Sequence, residues 1–163
     1  PPPPGHPDLI CYPARAAPLL SSPSPRLGPH EEQGGTMIDL DFSKMNGLVT
    51  AVAVDATDGE VLMVAYMNEE AFRLTVETGI VHYYSRSRDK LWKKGESSGN
   101  VQRVREIKVD CDRDAIVVRI DQSGPACHEG YKSCFFRTVG PGGALAENQP
   151  RLMDPAAMYG AKS

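Results

Sequence analysis

No stretch of this sequence is apolar over the roughly 20 consecutive residues that a membrane-spanning helix requires. The N-terminal segment also lacks the apolar core of a secretory signal peptide. The net charge is only −3, so the chain lacks the basic balance of proteins that bind nucleic acid nonspecifically. The four cysteines include none of the close C-x₂₋₄-C pairs of a zinc finger. These absences favour a globular, cytoplasmic protein that binds neither membranes nor nucleic acid.

Composition divides the chain into three parts. Prolines recur throughout residues 1–36 among few apolar residues, and such a segment buries too little surface to offset its ordering entropy. We therefore predict a disordered Pro-rich leader at 1–36, and the lack of an initial Met leaves open whether it is native. Residues 37–139 are expected to form the one folded domain, and 140–163 a C-terminal tail that packs on or near it.

The domain shows mainly strand patterns. Two β-branched runs at 48–54 and 60–66 flank an Asp-Gly turn and predict a hairpin. One helix is predicted from Glu69 to Thr78, because Asn68 can cap its start and Gly79 can take the left-handed position after its end. Further strands are expected at 80–85, 101–109, 115–120 and 133–139. The fold class is therefore α+β and strand-dominated.

An acidic run directly after the predicted strand 101–109 suggests a site for a hard cation. Asp110, Asp112 and Asp114 alternate along the chain, so an extended backbone would place the three carboxylates on one face. Like charges repel each other, and a cation with oxygen ligands such as Mg²⁺ commonly holds them together. A solvated turn without a metal is the simpler alternative.

Three cysteines in the same region suit a softer metal. Cys111 lies within the acidic run, Cys127 follows in the next loop, and Cys134 lies at the start of the last predicted strand. Thiolates are typical Zn²⁺ ligands, and three protein ligands leave a position open for water, as in catalytic zinc sites. Cys11 lies in the Pro-rich segment, so the domain holds an odd number of cysteines, which favours metal binding over a disulfide framework. Buried free cysteines are the alternative.

A basic segment concentrates positive charge and hydroxyl groups around the only tryptophan. Five cations fall within the nine residues 86–94. Arginine can bind phosphate through two parallel hydrogen bonds, and an indole ring can stack on a base. The predicted substrate-binding residues are Ser85, Arg86, Ser87, Arg88, Trp92, Lys93 and Lys94. The alternative is a solvated basic loop whose tryptophan packs in the core.

Several motifs in one order resemble the phosphoribosyl-AMP cyclohydrolases. The matching segments are Tyr84-Ser85-Arg86-Ser87-Arg88, Leu91-Trp92-Lys93-Lys94-Gly95-Glu96, Ser98-Gly99-Asn100, Asp110-Cys111-Asp112-Arg113-Asp114 and Ala126-Cys127-His128 through Ser133-Cys134-Phe135-Phe136-Arg137. The similarity extends from about residue 48 to residue 139. Many relatives carry a fused phosphoribosyl-ATP pyrophosphatase domain, and the stretch after 139 is too short for one, so we expect a monofunctional chain.

The resemblance implies a fold and a set of metal ligands. We expect a small antiparallel β pseudo-barrel or sheet with one main helix, assembled as an intertwined homodimer whose zinc site is shared between subunits. By motif, Cys111, Cys127 and Cys134 correspond to Zn²⁺ ligands. Asp110, Asp112 and Asp114 correspond to Mg²⁺ ligands.

The resemblance also implies a reaction, the hydrolytic opening of the N1–C6 bond in the adenine ring of 1-(5-phosphoribosyl)-AMP. This is the third step of histidine biosynthesis. Zinc lowers the pKa of bound water from 15.7 to about 7, which would make water an effective nucleophile. His128 is the expected proton-transfer residue, because an imidazole gains and loses a proton near neutral pH. The alternatives are a non-catalytic, zinc-stabilised nucleotide- or RNA-binding module, and a zinc hydrolase of the same fold that acts on another purine.

Overall fold

The computed structural model describes residues 39–159, so the predicted leader at 1–36 lies outside the described part of the chain. Eight strands and two α-helices follow each other in the described residues. They are β1 (Val49–Asp55), β2 (Val61–Met67), α1 (Glu69–Thr78), β3 (His82–Ser85), β4 (Lys90–Lys93), β5 (Gln102–Val109), β6 (Ala115–Gln122), β7 (Arg137–Val139), β8 (Leu145–Glu147) and α2 (Pro155–Tyr159). A 3₁₀ turn at Phe42–Met45 precedes β1.

Six strands form one sheet in the order β4-β3-β2-β1-β6-β5. Neighbouring strands in this sheet are antiparallel, except for β1 and β6, which run parallel. The expectation of a purely antiparallel sheet is therefore wrong. Parallel pairing requires a long crossover, and here α1 and four strands separate β1 from β6 along the chain.

The sheet is curled rather than flat. An isolated antiparallel bridge joins Ile80, just before β3, to Arg103 in β5. The amide of Val81 donates to the carbonyl of Gln102 at 3.0 Å, so the outer strand β5 is drawn towards the start of β3. The strand-dominated α+β class and the curvature expected of a pseudo-barrel are thus confirmed for the described residues. β7 and β8 form a separate hairpin.

The core lies between the sheet and α1. Alternate residues of β1 point inwards, and Val49, Ala51 and Ala53 are fully buried, as the two-residue period of a strand requires. Helix α1 begins and ends at the predicted residues: the Asn68 side chain accepts from the amide of Ala71 at 2.9 Å, and Gly79 is left-handed. None of the described helices is long and apolar enough to cross a membrane.

Two predicted strand boundaries differ from the structure. The last strand begins at Arg137 instead of residue 133, because residues 133–136 form a turn held against β2 by the side chain of Ser133, whose hydroxyl donates to the carbonyl of Val61 at 2.7 Å. The basic segment, predicted as a loop, contains the short strand β4. Its register with β3 pairs His82 with Lys93 and Ser85 with Lys90.

Candidate metal and active site

The acidic run forms a tight turn between β5 and β6, and its three carboxylates converge. One ligand oxygen from each of Asp110, Asp112 and Asp114 lies within 4.8 Å of the others. The run is not extended, as the strand interpretation assumed; instead Arg113 adopts a left-handed backbone with φ of 62°. The three carboxylates therefore converge because the chain reverses direction at this turn, and not because they alternate along a strand as predicted.

A lysine outside every predicted motif completes this acidic turn. The Lys44 ammonium donates to Oδ2 and to the main-chain carbonyl of Asp112, both at 2.8 Å, and lies 3.5 Å from Oδ2 of Asp114. Its hydrogen bond to the carboxylate is the main reason that the pKa of Asp112 is lowered and that of Lys44 raised. The cluster is exposed enough for a hydrated cation to reach it, and its oxygen donors are of the type that Mg²⁺ prefers.

Two of the three cysteines come together at the other end of the sheet. Cys127 is buried, and the Cys134 amide donates to the carbonyl of Leu62 at 2.7 Å, which fixes Cys134 at the start of β2. Burial of part of the side chain, together with the neighbouring Cys127, raises the pKa of the Cys134 thiol to about 12. The amide of Glu129 lies 3.4 Å from Sγ of Cys127 and donates to it. Two adjacent sulfurs are a donor set that a zinc ion would stabilise as thiolates.

Lys94 places a positive charge near the sulfurs of Cys127 and Cys134. Its ammonium donates to the carbonyl of Ala126 at 2.6 Å, directly before Cys127. Burial lowers the pKa of Lys94, while the negative charge that Cys134 and Cys127 can carry opposes that shift. The prediction assigned Lys94 to a substrate phosphate, and that assignment remains a prediction; the structure shows the ammonium within the electrostatic reach of both sulfurs.

Cys111 does not join the other two cysteines within one chain. It lies in the turn before β6, whereas Cys127 follows β6, which is eight residues long. At about 3.3 Å per residue a strand of this length separates its two ends by roughly 25 Å. We call the end with the acidic turn 110–114 the acidic end and the end with Cys127 and Cys134 the thiol end.

Comparison with known proteins identifies the family to which these features belong. The family model described as phosphoribosyl-AMP cyclohydrolase matches residues 63–136. A protein of that name from Methanococcoides burtonii is 56% identical over 125 residues, which cover 76% of this chain and 100% of the relative. The chain belongs to the phosphoribosyl-AMP cyclohydrolase family. Relatives of the same name from Sinorhizobium fredii and Nitrobacter winogradskyi are 51% and 58% identical, over 88% and 72% of this chain and 97% and 85% of their own lengths.

Membership in the phosphoribosyl-AMP cyclohydrolase family confirms the resemblance drawn from the motifs, and with it the expectation of a hydrolase. The aligned region includes every cysteine and aspartate of the two candidate metal sites, since residues 63–136 span both the acidic end and the thiol end. The family assignment does not by itself say which side chains of this cyclohydrolase meet in space. That information comes from the geometry.

The basic segment of this cyclohydrolase is divided between the two ends. Ser85 ends β3, and Arg86, Ser87 and Arg88 lie in the turn between β3 and β4. This turn is beside the acidic end, because Tyr84 pairs with Tyr66 and Tyr66 with Thr50. Lys93 and Lys94 lie at the opposite end of β4. The half-buried Trp92 packs on Tyr83, with ring centroids 4.9 Å apart, as part of the core.

His128 is exposed and follows the buried Cys127 directly, in the loop between β6 and β7, which we call the thiol loop. This position leaves its imidazole open to a ligand or to solvent. The sequence motifs did not predict Lys44, which contacts the acidic turn from a distant part of the chain. Lys44 carried no motif, although its position four residues before Leu48 places it where the chain enters the sheet.

Proposed function

We propose that this chain hydrolyses the N1–C6 bond of the adenine ring in 1-(5-phosphoribosyl)-AMP, in histidine biosynthesis, with zinc at the thiol end and magnesium at the acidic end. The oxygen of the water stays on C6 as a carboxamide oxygen. The protons pass to N1 and to the exocyclic nitrogen as the N1–C6 bond breaks. The relatives that share more than half of their aligned residues with this chain carry the name of this activity.

The observation that carries the proposal is the pairing of Cys127 and Cys134 beside the ammonium of Lys94. These two sulfurs, with Cys111, would hold the zinc ion. A zinc ion with one open position supplies a bound water whose pKa is about 7. Lys94 favours the charged form of the Cys134 sulfur, and the Glu129 amide donates to the Cys127 sulfur. His128, exposed beside Cys127, would carry a proton to N1 as the ring opens.

The acidic turn would hold magnesium through Asp110, Asp112 and Asp114, whose oxygens already lie within 4.8 Å of one another. In that role the turn would position phosphate or ribose oxygens of the substrate. The ammonium of Lys44 neutralises part of the negative charge of this turn, because it forms salt bridges with both Asp112 and Asp114. A divalent cation would therefore bind in competition with, or next to, that ammonium.

The proposed active form is a homodimer in which Cys111 of one copy joins the thiol pair of the other. The strand β6 separates Cys111 from its own chain's pair by roughly 25 Å. The thiol end also exposes apolar side chains that a partner would cover, among them Phe135 at 52%, Val139 at 69% and Leu145 at 66%. Apolar patches of this kind commonly mark protein interfaces.

The test is turnover of phosphoribosyl-AMP by the purified protein, followed by product absorbance, before and after zinc chelation and zinc restoration. We expect activity to disappear with the metal and to return with it. Cys127→Ser should lose zinc and activity together. Cys11→Ser is the matched control, because it removes a thiol outside the proposed ligand set.

Two outcomes would contradict the proposal. Full turnover by a zinc-free Cys127→Ser protein would exclude the thiol end from the chemistry. A folded, zinc-loaded dimer that leaves phosphoribosyl-AMP intact but opens another purine would show that the family's site serves a different substrate. AMP, which lacks the second phosphoribosyl group, is the substrate control.

A further inference from the structure

A pocket of about 680 Å³ lies at the acidic end, at the opposite end of the sheet from Cys127 and Cys134. Its wall includes Arg86 and Tyr84 near the β3–β4 turn, Asn46 and Gly47 just before β1, and Lys44. Pockets of a few hundred Å³ with a small number of placed polar groups are typical sites for small ligands. Two of these wall residues are cations, so the pocket is suited to an anionic ligand.

Arg86 is the free cation of this pocket. Its guanidinium carbon lies 3.9 Å from the centroid of the Tyr66 ring, which holds the planar group in place by a cation–π contact. Within residues 39–159 no carboxylate forms a salt bridge with Arg86. Asp89 also lines the pocket, but its carboxylate accepts a hydrogen bond from the Tyr84 hydroxyl. The N–H groups of Arg86 are therefore available to a ligand, and a phosphate matches their fork.

Lys44 connects the pocket to the acidic turn. The same ammonium that lines the pocket donates to Asp112, which neighbours Cys111 in sequence. The pocket, the proposed magnesium ligands and Cys111 thus share one end of the sheet. The thiol pair of the same chain lies at the other end, where Cys134 contacts Leu62.

We propose that this pocket binds a 5′-phosphate of the substrate through Arg86 and Lys44, and that it serves the reaction centre completed by Cys127 and Cys134 of a second copy of the chain. The inference rests on the proposed function and goes beyond it. It assigns the phosphate site to one pocket and states which subunit's pocket serves which thiol pair. Each active site then takes its phosphate pocket and Cys111 from one copy and its Cys127–Cys134 thiol pair from the other.

A binding measurement tests the pocket without turnover. Ribose 5-phosphate is titrated into the zinc-loaded protein in a calorimeter, with circular dichroism to verify folding. Arg86→Ala should weaken binding at least tenfold. Arg73→Gln removes a similar charge from the outer face of α1, where Glu70 and Glu77 already hold it, and should bind as the wild type does. Unchanged affinity for the folded Arg86→Ala protein would overturn the assignment of the pocket.

Mixed dimers test which subunit's pocket serves which thiols. At substrate concentrations well below saturation, the Arg86→Ala and Cys127→Ser chains each have little turnover alone under the proposal. A hybrid of the two retains one intact site, with its pocket and Cys111 from the Cys127→Ser copy. With random pairing of a two-fold dimer, the mixture should recover about a quarter of wild-type turnover. A mixture of Arg86→Ala with Cys111→Ser should recover none, because both changes fall in the half-site that a single copy contributes.

The outcomes distinguish a failure of this inference from a failure of the proposed function. Recovery with Cys111→Ser but not with Cys127→Ser would place the pocket with its own chain's thiols and overturn the inference. No recovery in either mixture would also overturn it, provided that Cys111→Ser and Cys127→Ser complement each other. Failure of that last pair, or an inactive wild type, would instead contradict the shared zinc site or the proposed function; the calorimetric result would then decide the pocket alone.

Discussion

The C-terminal tail is held against the thiol loop at Gly130, and replacing this glycine by alanine should loosen both. The amides of Leu152 and Met153 donate to the Gly130 carbonyl at 2.8 and 3.1 Å. Gly130 has φ of +85°, and a Cβ there would overlap the Met153 carbonyl oxygen and lie 2.9 Å from its carbon. The obstacle is backbone, so a side-chain rotation cannot relieve it.

The size of the effect follows from two contributions. A left-handed backbone costs a residue with a Cβ about 1 to 2 kcal/mol. Undocking the tail to relieve the overlap loses two hydrogen bonds of about 1 kcal/mol each. Gly130→Ala should therefore reduce the unfolding free energy by about 3 to 4 kcal/mol in total, unless the tail detaches locally before the domain unfolds.

Gly59→Ala is the matched control for the backbone contribution. Gly59 has a similar φ of +79°, but nothing lies within 4 Å of a Cβ placed there. It should therefore lose only about 1 to 2 kcal/mol. Urea denaturation gives both values, and limited proteolysis reports whether the tail after residue 150 becomes cleavable in Gly130→Ala alone. Equal stability losses and equal cleavage in the two variants would refute the proposed contact between tail and loop.

Three further results are expected. Tyr83→Phe removes the hydroxyl that donates to Oε1 of the fully buried Gln102 at 2.6 Å, so the unpaired acceptor should cost about 1 to 3 kcal/mol in urea denaturation, and an unchanged midpoint would contradict this. The folded state raises the pKa of the Cys134 thiol from 9.0 to about 12, so the unfolded chain loses that proton at lower pH. The metal-free protein should therefore lose stability as the pH rises from about 9 towards 12, whereas a flat profile would argue against a raised pKa of this thiol. Zinc should slow alkylation of the exposed Cys111 in the dimer but not at dilutions where the protein is monomeric, and equal rates in the dimer would count against a shared site.

Local chemistry made much of the fold predictable. The helix α1 was predicted at its observed residues, because its two end signals, Asn68 and Gly79, act within one turn of the helix. The β1–β2 hairpin followed from two β-branched runs and an Asp-Gly turn. The parallel pairing of β1 with β6 was missed, since it joins segments about 65 residues apart and leaves no local pattern.

The contacts of the two lysines could not be read from the sequence. Lys44 meets Asp112 across 68 residues of chain, and Lys94 meets Ala126 across 32. Both contacts depend on how the sheet curls, and a basic residue has no signature that tells which loop it will face. The acidic turn was partly predictable: the convergence of its carboxylates was expected, but the reversal at Arg113 that produces it was not.

The lengths of β4 and β6 place motifs that are close in sequence at opposite ends of the sheet. The four residues of β4 carry the basic segment from one end of the sheet towards the other, so Arg86 and Lys94 lie near different candidate sites although they are close in sequence. The eight residues of β6 do the same between Cys111 and Cys127. A chain that places three zinc-type ligands at two ends of its sheet cannot close a three-cysteine site alone. A two-fold dimer that brings the acidic end of one copy to the thiol end of the other would close two such sites at once, and each would lie between the proposed phosphate pocket of one copy and the thiol pair of the other.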